Sequence, residues 1–255
     1  MKAGKSISII IPTLNEEKGI EKTILSLPLD ELREEGYDVE VIVVDGASTD
    51  KTRDVALRLG ARVISEERVG YGRAYKTGFS EAAGNIIVTL DADGTYPAEK
   101  ILTCIKMLDM KELDFITVNR FSRLEENAMS NTHKLGNRIL NLTLLLLYTV
   151  KLNDSQSGMW ILRKEFVQGI ELQSDDMALS EEIKIIAFKY FNSLEIRGKY
   201  YARTGEAKLA TLGHGWKNLL FLFKYRNLLK YAVKNPQVRA QDLTPVQQKM
   251  MLDTS

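Results

Sequence analysis

Short, unbroken runs of aliphatic and β-branched residues alternate with segments of helical spacing through the first 120 residues. That alternation constrains the fold of this 255-residue chain more than any other feature. Residues 6–11, closed by Pro12, form one such run. A run dominated by β-branched apolar residues and ended by proline reads as a buried strand. In residues 16–27, Ile20, Ile24 and Leu27 recur at helical spacing behind acids in the first turn, where the helix dipole favours them. Residues 39–44, 61–65, 85–90 and 114–118 read as further strands. Residues 50–59, 71–83 and 97–108 read as the helices between them. Strands and helices in this order need crossover connections, so they predict an α/β fold with a mostly parallel sheet and ligands outside the carboxyl ends of its strands.

Those ends carry the unusual residues: Pro12, Asn15 and Glu16 after the first strand, Asp45 after the second, Asp91 and Asp93 after the fourth. In Leu90-Asp91-Ala92-Asp93-Gly94-Thr95 the two carboxylates are spaced i, i+2 where the chain leaves the sheet, so both can aim at one point. A hard divalent cation wants such a pair plus substrate phosphates. With two histidines and one cysteine, Cys104, a zinc site is not expected. Asp45, in Val43-Val44-Asp45-Gly46-Ala47-Ser48-Thr49-Asp50, is placed to accept from a nucleobase or ribose, while Ser48, Thr49 or Asp50 can cap the following helix.

The formal net charge of +1 hides a division. Residues 197–240 hold ten basic side chains against one acid, Glu206, a surplus of nine that leaves the remainder at −8. A basic segment of this kind meets something anionic. Within it, residues 214–233 interleave Trp216, Leu219, Leu220, Phe221, Leu222, Phe223 and Tyr225 with Lys217, Lys224, Arg226 and Lys230. That pattern fits either a helix lying in a membrane interface or one packed on the core with its lysines snorkelling. An apolar run in residues 139–148 is too short to span a bilayer, which takes roughly 20 residues. Residues 120–130 read as irregular, 157–162 and 194–201 as late strands, and 179–191 as an amphipathic helix. The lone thiol and the absence of a signal-like apolar stretch before residue 6 favour a reducing compartment.

Four segments in order, Ile11-Pro12-Thr13-Leu14-Asn15-Glu16-Glu17, the run 43–50, Gly70-Tyr71-Gly72-Arg73-Ala74 with Gly78, and Asp91-Ala92-Asp93, resemble the family 2 glycosyltransferases of GT-A fold. The runs 154–159 and 203–209 resemble dolichol-phosphate mannose synthase and related polyprenyl-phosphate glycosyltransferases. The resemblance implies a Rossmann-like GT-A domain over residues 1–205, with a nucleotide-sugar half to 120 and an acceptor half from 121. A basic amphipathic membrane-interface segment over 206–235 and a polar tail over 236–255 follow. It implies donor contacts at Pro12, Leu14, Glu16, Asp45, Ala92, Asp93 and Arg120, Mg²⁺ or Mn²⁺ on Asp91 and Asp93, and catalytic roles for Asp91, Asp93 and Arg120. Acceptor phosphate would meet Arg138, Arg203 and Lys208. Thr95 stands where mannose synthases often have Gln, which leaves GDP-mannose, UDP-glucose and UDP-N-acetylglucosamine open as donors.

The expected activity is inverting transfer of a hexose from a nucleotide-sugar to dolichyl or polyprenyl phosphate, on the cytoplasmic face of a membrane and without nucleic acid. A phosphate acceptor needs no general base, because its second pKa of about 6 leaves it largely dianionic at pH 7. A sugar hydroxyl acceptor, the alternative, would need one, and Glu181 or Glu182 would be the candidates. A more remote alternative is a haloacid-dehalogenase-type phosphatase using Asp91 as nucleophile. Its motif, however, belongs on a first strand, and the later pair Asp175-Asp176 follows no apolar strand.

Overall fold

The computed structural model describes residues 5–125, 128–204 and 211–234. Seven strands form one sheet in the order β3-β2-β1-β4-β6-β5-β7. They are β1 Ser6–Thr13, β2 Asp38–Asp45, β3 Arg62–Ser65, β4 Ile86–Thr89, β5 Phe115–Leu124, β6 Trp160–Arg163 and β7 Ser193–Tyr200. Helices α1 Glu17–Leu25, α2 Leu29–Glu34, α3 Thr52–Arg58 and α5 Ile101–Met110 belong to one side. Helices α4 Tyr71–Glu81, α6 Asn131–Tyr148, α7 Lys164–Gln168, α8 Leu179–Tyr190 and α9 Thr211–Tyr225 belong to the other. Along β1, Ile7, Ile9 and Ile11 enter the first core and Ile10 the second, so both faces of the strand are covered. Burying each such side chain stabilises the fold by roughly 1.5–3 kcal/mol. At Gly78 on α4 an added Cβ would lie 2.4 Å from Ile10, so glycine sets how closely α4 lies on β1.

The sheet is mostly parallel, as expected, but β6 runs antiparallel to both β4 and β5. Strand order reverses between β1 and β4, the switch point at which α/β sheets open a crevice. Three readings of the sequence change. Residues 120–124 continue β5 instead of being irregular. The short helices α2 and α7 lie where no helix was read. Helix α8 is not amphipathic over its first nine residues: everything from Leu179 to Ala187 is buried, including Ser180, Glu181, Glu182 and Lys184.

Helix α9 packs one side on the core, as the second reading of this segment expected. Leu222 and Tyr225 on α9 are buried, and the Tyr148 hydroxyl of α6 donates to the Leu222 carbonyl. The opposite side exposes Trp216, Leu220 and Phe223, and α6 exposes Leu135, Ile139, Leu142 and Leu146 at i, i+4, i+7, i+11 spacing. Among the described residues no helix is long and apolar enough to cross a membrane. The polar tail and Lys208 lie outside the described residues.

Candidate active site

Two loops at the carboxyl ends of β1 and β2 are laced together by short polar side chains. The Asn15 amide donates to Ser48 Oγ at 2.7 Å, and its side-chain oxygen accepts from the Thr49 amide at 2.7 Å. Glu16 N–H donates to Thr52 Oγ1 at 2.8 Å, and Asp50 Oδ1 accepts from the Thr52 amide at 3.0 Å, although the N-cap position of α3 itself is Lys51. At the centre Asp45 is fully buried. Its Oδ2 accepts from the Ser48 amide at 3.1 Å, whereas Oδ1 has no hydrogen-bond partner among the described residues. An orphaned buried acceptor costs about 1–3 kcal/mol. A donor group on a bound ligand would satisfy it. Pro12 is buried beside it, and Leu14 projects outward as an exposed lip.

Next to Asp45, Glu66 follows β3 and its amide donates to the Asp45 carbonyl at 2.8 Å. Hydrogen bonds from Arg68, two of them at 2.7 Å, and from the Thr77 hydroxyl hold the Glu66 carboxyl at about 2, against an ordinary 4.5. A depressed carboxylate stabilises the native state above its unfolded pKa and loses that contribution as pH falls toward the native one. Glu66→Gln is therefore expected to lower Tm above pH 4.5, with the gap to wild type closing between pH 4.5 and 2. A gap independent of pH over that range would refute the role of this charge.

The Asp91–Asp93 turn leaves β4 at the switch point. Asp91 Oδ1 accepts from the hydroxyls of Tyr71 at 3.2 Å and Tyr75 at 3.3 Å, an i, i+4 pair on α4. Burial and the neighbouring Asp93 push the Asp91 carboxyl up to about 6, against opposing pulls from Arg120 and Arg203. Asp93 is buried and spends Oδ1 on its own turn, accepting from Thr95 Oγ1 at 2.6 Å and the Thr95 amide at 3.2 Å. Thr95 thus shapes the Asp91–Asp93 turn. Ala92 is buried between the two carboxylates.

Two arginines approach this pair. Arg203 donates to Glu16 Oε1 at 2.6 Å and lies 3.4 Å from Asp93 Oδ2, which ties the segment after β7 to the loops that follow β1 and β4. The Tyr201 and Thr204 amides donate to the carbonyls of Thr95 and Asp93, drawing that segment over the turn. Arg120 is gripped by Asp154 through Nε at 2.7 Å and Nη2 at 2.8 Å, while its own amide donates to the same carboxylate at 3.0 Å. Its guanidinium also lies over the Tyr200 ring at 5.4 Å.

Glu16, Asp91, Asp93, Arg120 and Arg203 are therefore brought together. Arg138 is placed elsewhere, in a polar cleft of about 540 Å³ with Asn119, Asn137, Asn141 and Arg197. Neither Arg138 nor Arg197 has an acidic partner among the described residues. Glu182 is structural: its two oxygens accept from the Gln173 and Ser174 amides at 2.7 and 2.8 Å. Glu181 is fully enclosed, and burial pushes its carboxyl up to about 7. Sequence reasoning missed Tyr75, Asp154 as the grip on Arg120, Gly158 and Arg197. The i, i+4 tyrosines had a local signal, and Asp154 and Gly158 lie in the 154–159 run singled out by resemblance, though without assigned roles.

No group of three or more His, Cys, Asp and Glu side chains able to hold a metal occurs among the described residues. Asp91 and Asp93 fit a hard cation that draws its other oxygens from phosphate and water, as Mg²⁺ and Mn²⁺ do.

Comparison with known proteins agrees with this geometry. The chain is 31% identical over 224 residues to the low-salt glycan biosynthesis hexosyltransferase Agl6 of Haloferax volcanii, covering 85% of this chain and 53% of that protein, so it spans about half of that relative's length. It is 29% identical to a dolichyl-phosphate hexose transferase of the same organism, covering 82% of this chain and 89% of the relative. A dolichol-phosphate mannosyltransferase of Pyrococcus furiosus is 27% identical, with 89% and 66% covered. Glucosyl-3-phosphoglycerate synthase of Mycobacterium tuberculosis, solved with Mn²⁺, UDP-glucose and phosphoglyceric acid, shares the fold at a TM-score of 0.64 and 22% identity, covering 88% of this chain and 80% of the other. The sequence pattern of Glycosyl transferase family 2 matches residues 8–170, from β1 through α7. With the Asp91–Asp93 turn at the switch point of that matched region, the chain belongs to glycosyl transferase family 2 and is a glycosyltransferase.

Proposed function

We propose that the protein transfers a hexose, with inversion, from a nucleotide-diphospho-sugar to a dolichyl or polyprenyl phosphate. The observation that carries this is the Asp91–Asp93 turn bracketed by Arg203 and Arg120, beside the β1 and β2 loops that hold the unpartnered Asp45 Oδ1. Relatives named for hexose transfer to dolichyl phosphate support the acceptor class. In this reading the nucleoside end of the donor sits against Leu14 and gives Asp45 Oδ1 its missing donor. The diphosphate lies at Asp91 and Asp93, with Glu16 at the edge of the site. Mg²⁺ or Mn²⁺ held there supplies charge neutralisation for the departing diphosphate. Arg120, oriented by Asp154, keeps Nη1 for that phosphate, a fixed donor that needs no reorganisation as charge develops.

The acceptor phosphate attacks the anomeric carbon on its own, since it is already anionic. Enclosure of Glu181 and the use of both Glu182 oxygens by backbone amides weigh against a base-assisted hydroxyl acceptor. The lipid approaches along α6 and α9, whose exposed apolar residues and Lys217 and Lys224, with Arg226 and Lys230 just beyond α9, suit an anionic membrane surface. Arg138, Arg203 and Lys208 receive its phosphate, with Arg197 added to Arg138 in the cleft.

Screening GDP-mannose, UDP-glucose and UDP-N-acetylglucosamine against one polyprenyl phosphate, with Mg²⁺ and Mn²⁺, tests the proposal. Transfer to a sugar hydroxyl but to no lipid phosphate would overturn it. Arg138→Ala and Arg197→Ala are each expected to raise acceptor KM about tenfold, the loss of one charged hydrogen bond, with donor KM unchanged. An unchanged acceptor KM in both variants would remove the cleft from the acceptor site.

A further inference from the structure

Lys184 is a charged residue fully buried in α8, and its three ammonium protons are all taken by one short turn. Nζ donates to the carbonyls of Asp154 at 3.1 Å, Ser155 at 2.9 Å and Ser157 at 2.7 Å. Three acceptors saturate an ammonium group, so this is a complete polar site formed by backbone alone. Burial nevertheless pushes the group down to about 7, against an ordinary 10.5. A buried cation is a costly way to anchor a helix that already packs Leu179, Ile183, Ile186 and Ala187. What the cation gains is control of the turn.

That turn faces the reaction on two sides. Asp154, whose carbonyl Lys184 holds, grips Arg120 through both carboxylate oxygens. Gly158, one residue past the Ser157 carbonyl, lies so close to Asp91 that an added Cβ would stand 2.8 Å from Oδ1 and 2.6 Å from the Tyr71 hydroxyl. The far end is pinned independently: the Gly158 amide donates to the Tyr96 hydroxyl at 2.6 Å, and its carbonyl accepts from Thr89 Oγ1 at 2.7 Å. The Ser157 carbonyl also accepts from the Trp160 indole N–H at 2.7 Å, and the Asp154 and Ser155 amides donate to Glu195 and Asn141 at 2.9 and 3.0 Å, but among the described residues Lys184 is the one side chain that joins all three carbonyls between these two contacts.

We propose that Lys184 is a positioning residue for glycosyl transfer, clamping the 154–158 turn so that Asp154 orients Arg120 and Gly158 sets the place of the Asp91 carboxylate. This rests on the reading in which Asp91 and Arg120 act on the donor diphosphate. Misplacement of reacting groups by about 1 Å can cost roughly a hundredfold in rate. Lys184→Met, which keeps the stem and removes the donors, is expected to lower kcat ten- to a hundredfold while both KM values stay within about threefold.

The Nε–H resonance of Arg120 in a ¹⁵N-labelled sample gives a readout independent of turnover. In wild type it should be downfield and slow to exchange, and in Lys184→Met it should move toward that of a free arginine. Lys184→Arg keeps the charge but lengthens the reach, so it should fold and still lose kcat. Propylammonium, but not propanol, should restore part of the rate of Lys184→Ala. Wild-type kcat in Lys184→Met or Lys184→Arg, or a loss of kcat with the Arg120 signal unmoved, would overturn the proposal. Asp91→Asn run in parallel separates the two ideas. Activity surviving in Asp91→Asn overturns the reading of the site, whereas an inactive Asp91→Asn beside a fully active Lys184→Met overturns only the lysine's role.

Discussion

Replacing Asp91 or Asp93 by alanine is expected to reduce glycosyl transfer by about a thousandfold or more, because the leaving diphosphate then loses its neutralising partner. The two positions should differ in their effect on folding. Asp93 spends one oxygen on the Thr95 hydroxyl and amide, so its alanine variant also loosens the turn, and Asp93→Asn is the cleaner probe. Asp91 is the opposite case. Burial and the charge of Asp93 disfavour its ionised form and raise its carboxyl from 3.8 to about 6. A group with a raised native pKa stabilises the metal-free fold as pH falls from 6 toward 3.8 and opposes it above 6. Asp91→Asn removes that opposition and still accepts from Tyr71 and Tyr75. It should unfold no earlier than wild type at pH 7 while transferring no sugar. Turnover within tenfold of wild type in both Asp91→Asn and Asp93→Asn would refute the metal assignment.

The parts of this site that were legible in the sequence are those made by one strand end. Asp45, Asp91 and Asp93 stand directly after apolar runs, and a residue leaving a buried parallel strand has few places to point except into the crevice. The fold was legible for the same reason: the consecutive apolar residues Ile9 to Ile11 in β1 and Val41 to Val44 in β2 are what a strand covered on both faces requires. Pairs that close over long separations carry no local mark. Arg203 meets Glu16 across 187 residues, and Asp154 meets Arg120 across 34. The four-residue β6 gave no hint of its antiparallel direction, because direction is decided by which neighbours it finds and not by its own side chains. Helix α8 misled for a physical reason. Its charges recur as on a solvated surface, but Lys184 is neutralised by backbone carbonyls and Glu182 by backbone amides, partners that no side-chain pattern announces.

The second large effect is expected at Asp154, a residue that touches no donor atom in the proposed reading. Its carboxylate is fully buried, and although burial works against its charge, the Arg120 guanidinium holds it below the ordinary carboxylate range. Asp154→Ala leaves a largely buried guanidinium unpaired, and breaking such a pair from one side costs about 3–5 kcal/mol. Against a typical stability of roughly 5–15 kcal/mol, that is a large fraction of the whole. Arg120→Met should cost a similar amount from the other side. Removing both partners together, as Arg120→Met with Asp154→Leu, should recover most of the stability, since two apolar side chains leave no buried charge. It should recover none of the activity, because the oriented donor at Arg120 is gone. Urea unfolding and kcat measured on the two single variants and the double variant separate these contributions as a cycle. If Asp154→Ala costs less than about 1 kcal/mol, the pair is solvated and its grip on Arg120 is not structural. If the double variant regains kcat along with stability, the guanidinium has no part in stabilising the leaving diphosphate, and that work falls to the cation that Asp91 and Asp93 would hold.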